Sequence, residues 1–225
     1  MNTDAFFRDG YLHVPGVFTS DEVAALRAKT DACFAQREQL DPKFVSYVYG
    51  AFVLRRGADY DPLFAELVTR EPILELVSAV LGKEPAFNAL NVIRNEPGQA
   101  ISLWHVDDVL ELPLPEEIAR FDARIRLPVL WLTVQVALSD IETEAHGPTQ
   151  FVPESHYSGR RPPTQENPTF EGKGPVSVFC KAGDVYLTNH QCWHRGAPNV
   201  SDRTRYVLQL QYATRWADRR FRGVA

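Results

Sequence analysis

A chain of 225 residues that sets 24 Lys and Arg against 29 Asp and Glu, with the two signs mixed and no basic block, is a poor fit to a nucleic-acid partner. Three cysteines, Cys33, Cys180 and Cys192, with no CxxC pair, disfavour both a disulfide framework and a thiolate zinc site. An apolar fraction of 44% supports a sizeable core. The lack of a signal-peptide pattern or of an apolar run of about 18 residues points to a soluble cytoplasmic protein with no membrane partner.

In chain order, Thr3 can cap a short helix that Gly10 stops, and Tyr11–Val14 reads as a short strand. Thr19 or Ser20 caps the next helix, which the spacing of Val23, Leu26, Thr30 and Phe34 carries to about residue 40. His13 reads as structural. Residues 44–54, rich in Val, Tyr and Phe, read as strand. Asp61-Pro62 starts a helix to about residue 68. Glu71-Pro72 starts another, with Ile73, Leu76, Val77, Val80 and Leu81 on one face and Gly82 at its end. These helices carry no evident chemistry and are expected to cover one side of a sheet.

From residue 86 the texture is that of short strands between Gly, Pro, Asn and Asp clusters: 87–94, 101–106, 128–138, 151–152, 176–180, 185–188 and 206–212. In 128–138 the even positions are all aliphatic and should pack under the helices. The odd positions, Val129, Trp131, Thr133, Gln135 and Ala137, hold every polar residue and should line a cavity. The long connections 110–127, with a helical turn near 115–121, and 160–174 are expected to shape that pocket. The pattern predicts a mainly β, α+β sandwich or barrel in one domain. A mostly helical flank fills 1–85, a β core 86–215 and a short basic tail 216–225. Oligomeric state is expected to be monomer or homodimer.

His105 and Asp107 lie two apart, so on a strand they share a face and can reach one metal. His194, about ninety residues on, is the best third ligand, with His190 as its competitor; Asp108 is the carboxylate that competes with Asp107. His190, on the same face of an extended segment, is more readily a support for the ligands than a ligand. Two imidazoles and one carboxylate leave three positions open, as non-haem Fe(II) oxygenases require. Eleven residues after His194, Arg205 opens RYVLQLQY, in which Arg205, Val207, Gln209 and Gln211 share a face. A guanidinium on a cavity face needs an anion, and its planar fork suits a dicarboxylate co-substrate. Arg203 is the alternative anchor. His156 reads as a turn residue, Cys192 as a small core residue, and the sequon at Asn199 as incidental.

These segments resemble the phytanoyl-CoA dioxygenase family of Fe(II)/2-oxoglutarate oxygenases over most of the chain. The carriers are FFRDGYLHVPGVFTSDEVAALRA, Trp104-His105-Val106-Asp107, and Ala137 to Asp140 followed by Gly147 to His156. The distal block Gly183-Asp184, Trp193-His194, Asn199, Ser201 and Arg205 completes them. The resemblance implies a double-stranded β-helix, a jelly-roll (cupin-like) form, with N-terminal helices packed on one sheet. It implies Fe(II) on His105, Asp107 and His194, and 2-oxoglutarate anchored by Arg205. By position it places Asn91, Gln135 and Thr133 near the co-substrate. It implies hydroxylation of a small-molecule C–H bond, with 2-oxoglutarate and O₂ converted to succinate and CO₂ and secondary metabolism as one setting. Two positions depart from the pattern: His146 stands where Asn is common, and Glu154 where Gly is common. Asp107 argues against the halogenating relatives, which lack the carboxylate. Desaturation, cyclisation or epimerisation on the same iron, or a non-oxygenase cupin-like metal protein, are the competing readings.

Overall fold

The computed structural model describes residues 2–107 and 109–222. Among the described residues ten strands form two sheets. In chain order they are β1 (Tyr11–Val14), β2 (Val45–Val48), β3 (Ala51–Leu54), β4 (Ala86–Asn95), β5 (Trp131–Ala137), β6 (Thr149–Phe151), β7 (Val176–Ser177), β8 (Val185–Asn189), β9 (His194–Gly196) and β10 (Arg205–Ala213). The larger sheet runs β1-β8-β5-β10-β4-β3-β2, and the smaller β7-β6-β9. All of their ladders are antiparallel. The two sheets enclose a cavity in the jelly-roll manner.

The helices are α1 (Asp4–Asp9), α2 (Ser20–Ala35), α3 (Gly57–Tyr60), α4 (Pro62–Ala65), α5 (Ile73–Leu81) and α6 (Arg215–Arg222). Thr19, not Ser20, caps α2, and it does so reciprocally with Glu22 in a capping box. The even face of β5 behaves as its sequence dictates. Leu132, Val134, Val136 and Leu138 are fully buried against Val23 and Leu26 of α2 and Ile73, Leu76 and Val77 of α5. This layer removes one face of the large sheet from water, and each large aliphatic side chain contributes roughly 1.5–3 kcal/mol by its burial.

Several elements are shorter than their patterns. Helix α2 stops at Ala35, where Gln36 closes onto Ala32 and Phe34, rather than near residue 40. After α4 the chain tightens into a 3₁₀ turn, Glu66–Thr69. The central strand begins at Trp131, and Val129 joins the main apolar core instead of facing the cavity. Residues 101–106 form no strand. Only His105 pairs there, in a bridge to His194. The 176–180 segment is strand for two residues, with Cys180 bridging Ile141. Near residue 115 there is a single turn, closed by Ile118 N–H donating to Pro115.

The largest departure is the 44–54 stretch. It is a hairpin whose two turn residues, Tyr49 and Gly50, both have positive φ, +48° and +89°. Strand β3 pairs with β4, and β1 pairs with β8, so three strands from the first 85 residues enter the large sheet.

His13 is structural, with its Nε2 2.9 Å from Asp184 Oδ2. Asn199 is fully buried and donates to the carbonyls of Asn95 and Arg203, so its sequon has no exposed amide. Glu154, where the family pattern has glycine, has φ +65°, a left-handed conformation that normally favours glycine. Residues 223–225 of the tail lie outside the described residues. No helix among the described residues is long and apolar enough to cross a membrane.

His156 ties the 3₁₀ turn Ser155–Ser158 to the N-terminus, its Nε2–H donating to Phe7 O at 3.2 Å. Its Nδ1 is buried without a partner, and burial pushes the imidazole down from 6.5 to about 4. Between those two values the unfolded chain binds a proton that the fold refuses, so stability falls as pH drops. A loss of about 3 kcal/mol by pH 4, relative to a His156→Gln variant that keeps the donor to Phe7, is the expected result of denaturant titrations. Parallel pH curves for the two proteins would contradict it.

Candidate active site

The cavity between the sheets has a volume of about 220 Å³. Its walls include Thr133, Gln135, Arg205, Gln209 and Gln211 from the large sheet, Thr149 and His194 from the small one, and His105 and Asp107. The backbone aligns the last two with His194: His105 and His194 exchange both N–H···O bonds at 3.0 Å, and Asp107 N–H donates to His190 O at 2.9 Å. The expected convergence of His105 and Asp107 therefore arises from a bridge, not from a full strand.

Ligand atoms of His105, Asp107 and His194 lie within 4.8 Å of one another. The distance from Asp107 Oδ1 is 3.4 Å to His105 Nε2 and 3.7 Å to His194 Nε2. Each ring is fixed from behind. His105 Nδ1 lies 2.7 Å from Leu103 O and His194 Nδ1 2.8 Å from Cys192 O. A carbonyl accepts only a proton, so each Nδ1 carries the N–H and each neutral ring turns a bare Nε2 toward Asp107. Metal-ligating histidines are held in this way.

The charges agree. Burial would raise Asp107, but the imidazoles of His194, His190 and His105 outweigh it and hold the carboxyl well below the usual range. Burial lowers His194 to about 4. Burial also opposes protonation of His105, yet its hydrogen bond and charge contact with Asp107 raise it above the ordinary value. At neutral pH the set offers an anion and a neutral imidazole, the donor chemistry of a divalent-metal site.

His190 is fully buried beside this set, its Nε2 2.9 Å from Thr133 Oγ1 and 3.6 Å from Asp107 Oδ2. It faces the carboxylate oxygen turned away from His105 and His194. Thr133 therefore supports His190 as well as lining the cavity. Asp108, the competing carboxylate, lies outside the described residues.

Arg205 is buried at 3% exposure in the cavity wall. Its Nη2 donates to Thr149 Oγ1 at 3.0 Å, and its Nη1 is buried with no hydrogen-bond partner. No carboxylate pairs with it among the described residues. A desolvated guanidinium left this way fits an incoming carboxylate. Behind it, Thr149 contacts Tyr186 OH at 2.9 Å, and Tyr186 donates to Gln135 Oε1 at 3.0 Å. Thr149 and Tyr186 were not legible as site residues. The GPTQF and GDVYL segments that carry them were, but nothing in those segments says which side chain meets Arg205. Arg203 lies outside this cavity and is bonded to His146. Asn91 lines the cavity on β4.

The loops 110–127 and 160–174 do not line this cavity. Arg160, at the start of the second, instead ties the first to it, donating to the carbonyls of Pro115, Glu116, Ile118 and Ala119. The hairpin β2–β3 takes their place in the wall, through Val48, Ala51 and Val53.

The fold is similar to several solved structures. The epimerase SnoN, in complex with Fe3+, alpha-ketoglutarate and nogalamycin RO, is 24% identical, with 94% of this chain and 81% of SnoN covered at a TM-score of 0.72. HygX from Streptomyces hygroscopicus, with nickel and 2-oxoglutarate, is 21% identical over 96% and 88% at 0.72. The carbocyclase SnoK is 22% identical over 95% and 84% at 0.70. At these identities the likeness establishes the jelly-roll fold. The family model of phytanoyl-CoA dioxygenase (PhyH) matches residues 6–207, so this chain belongs to the PhyH family and is an Fe(II)/2-oxoglutarate-dependent oxygenase.

Proposed function

We propose that this protein hydroxylates an unactivated C–H bond of a small molecule, with His105, Asp107 and His194 holding Fe(II) and Arg205 binding the far carboxylate of 2-oxoglutarate. The observation that carries this reading is one cavity with two Nε2 atoms and a carboxylate oxygen at one point, and an orphaned buried Nη1 elsewhere in its wall. Residues 1–225 act here as one catalytic domain. When bound, iron, 2-oxoglutarate and O₂ supply the oxidising power, with succinate, CO₂ and an oxidised substrate as products. The protein's own work is positional. Leu103 and Cys192 carbonyls orient the rings, His190 faces the outer oxygen of Asp107, and Thr149 orients Arg205. Gln135, held by Tyr186 and Thr188, lines the co-substrate path.

Gln191 bridges the backbone beyond Asp107. Its Oε1 accepts from Glu111 N–H at 2.9 Å and its Nε2 donates to Val109 O at 3.1 Å. A partner bonded directly to a ligand is typically worth 10- to 100-fold in metal affinity. Gln191 acts one step further out, through the backbone, so Gln191→Ala is expected to lose at most about tenfold in Fe(II) affinity in a chelator competition, and unchanged affinity would show that Gln191 does not hold Asp107.

The relatives named as epimerase and carbocyclase give the second reading: oxidation without oxygen insertion. Turnover under ¹⁸O₂ separates the two. Hydroxylation puts one labelled oxygen into the substrate-derived product, whereas ring closure or epimerisation leaves that product unlabelled although succinate is labelled.

A further inference from the structure

The large sheet carries a row of amides that starts on the co-substrate path, at Gln135, and runs on past it. Gln209 on β10 lies directly across from Asn91 on β4 and Gln135 on β5, and Gln211 lies across from Thr133. Gln135 and Thr133 are engaged with Tyr186 and His190. Asn91, Gln209 and Gln211 are half-buried in the cavity wall, and their side chains make no hydrogen bond among the described residues.

Distance separates the far end of this row from the co-substrate. Gln209 and Gln211 lie four and six residues past Arg205 on an extended strand, about 14 and 20 Å away along the main chain. The Arg205 side chain and a five-carbon diacid in series reach toward the rung that Gln209 shares with Gln135 and stop short of Gln211. Gln211 also shares a rung with Thr133, which contacts His190 next to Asp107. The row therefore flanks the iron-ligand set on the side away from Arg205.

We propose that Asn91, Gln209 and Gln211 bind the oxidised substrate and select a neutral, hydroxyl-rich ring, a saccharide or cyclitol. The inference rests on the iron and 2-oxoglutarate reading above. Three primary amides present six N–H donors and three acceptors without net charge. Hydroxyls donate and accept, so they match both. An alkyl chain would strip water from the amides and return nothing, a loss that discriminates strongly. Among the described lining residues Asp107 is the only carboxylate, so a polycationic substrate has no second partner; Arg55, the other cation of the wall besides Arg205, donates to Ser46 Oγ. The hairpin wall of Val48, Ala51 and Val53 is apolar and suits the C–H face of such a ring.

The test uses the anaerobic Fe(II)–2-oxoglutarate complex of the full chain. Methyl glucopyranoside and myo-inositol serve as hydroxyl-rich probes, and cyclohexylmethanol and 1-octanol as apolar ones. The hydroxyl-rich probes should shift the visible band of the complex and raise succinate release in air. Their apparent affinity should fall at least tenfold in Gln209→Leu and Gln211→Leu, while the 2-oxoglutarate midpoint of the band stays within threefold. Retention of the band shows that the variants fold. Apolar probes binding as well as the polyols, polyols without effect on wild type, or leucine variants that respond like wild type would each overturn the assignment. Absence of the band in wild type would instead remove the cofactor reading, and the assignment with it.

Discussion

Arg205→Ala is expected to raise the 2-oxoglutarate concentration needed to half-saturate the Fe(II) protein by about 10²- to 10³-fold, with little change in Fe(II) affinity. Arg205 is buried, and its unpartnered Nη1 is the cavity group best prepared for a carboxylate. Removing one partner of a buried charge pair costs about 3–5 kcal/mol, and 1.4 kcal/mol is tenfold. Arg205→Lys should fall between, because a point charge replaces a two-pronged fork. The iron ligands come from different segments, so they are not disturbed directly. An unchanged midpoint in Arg205→Ala would mean that another group, such as Arg55 at the cavity wall, takes the carboxylate.

Asp107→Asn should reduce Fe(II) affinity by at least about 10³-fold, on the same scale of buried-charge energetics. The substitution keeps size and shape but removes the one anion among three imidazoles, His105, His190 and His194. A second readout needs no metal. In the wild type Asp107 raises the His105 pKa against the effect of burial. With the carboxylate gone, only the backbone contacts at Leu103 and His194 oppose burial, so His105 should titrate below its wild-type value. NMR titration of the metal-free proteins checks the sign: His105 protonates at higher pH in wild type than in the Asn variant. Equal pKa values would show that the contact between Asp107 and His105 does not govern the site.

Much of this arrangement was legible in residue pattern. The aliphatic face of β5 follows directly from strict alternation, and so does the placement of Thr133 and Gln135 in the cavity. The face shared by Arg205, Gln209 and Gln211 was equally plain, because one extended strand carries all three. Other parts depend on three-dimensional pairing that local pattern does not encode. Tyr49 is a poor advertisement for a turn, so the hairpin that walls the cavity looked like one strand. The 101–106 segment has strand-like residues yet pairs only at His105, because its neighbours there are a loop and the short β9. The long loops looked like pocket walls because length suggests function. Arg160 and Gln191, which tether the 110–127 loop, reach across some 40 and 80 residues of chain. Thr149 and Tyr186 serve Arg205 only once β6 and β8 are brought together.

The most direct measurement is an anaerobic titration of the metal-free protein with Fe(II) and then 2-oxoglutarate, followed in the visible region. A chelated 2-oxo acid on Fe(II) gives a weak charge-transfer band. The account predicts this band in wild type, its loss in His194→Ala, and a far higher 2-oxoglutarate requirement in Arg205→Ala. No band in wild type, with zinc bound tightly in its place, would contradict the assignment of these residues to an iron and 2-oxoglutarate site.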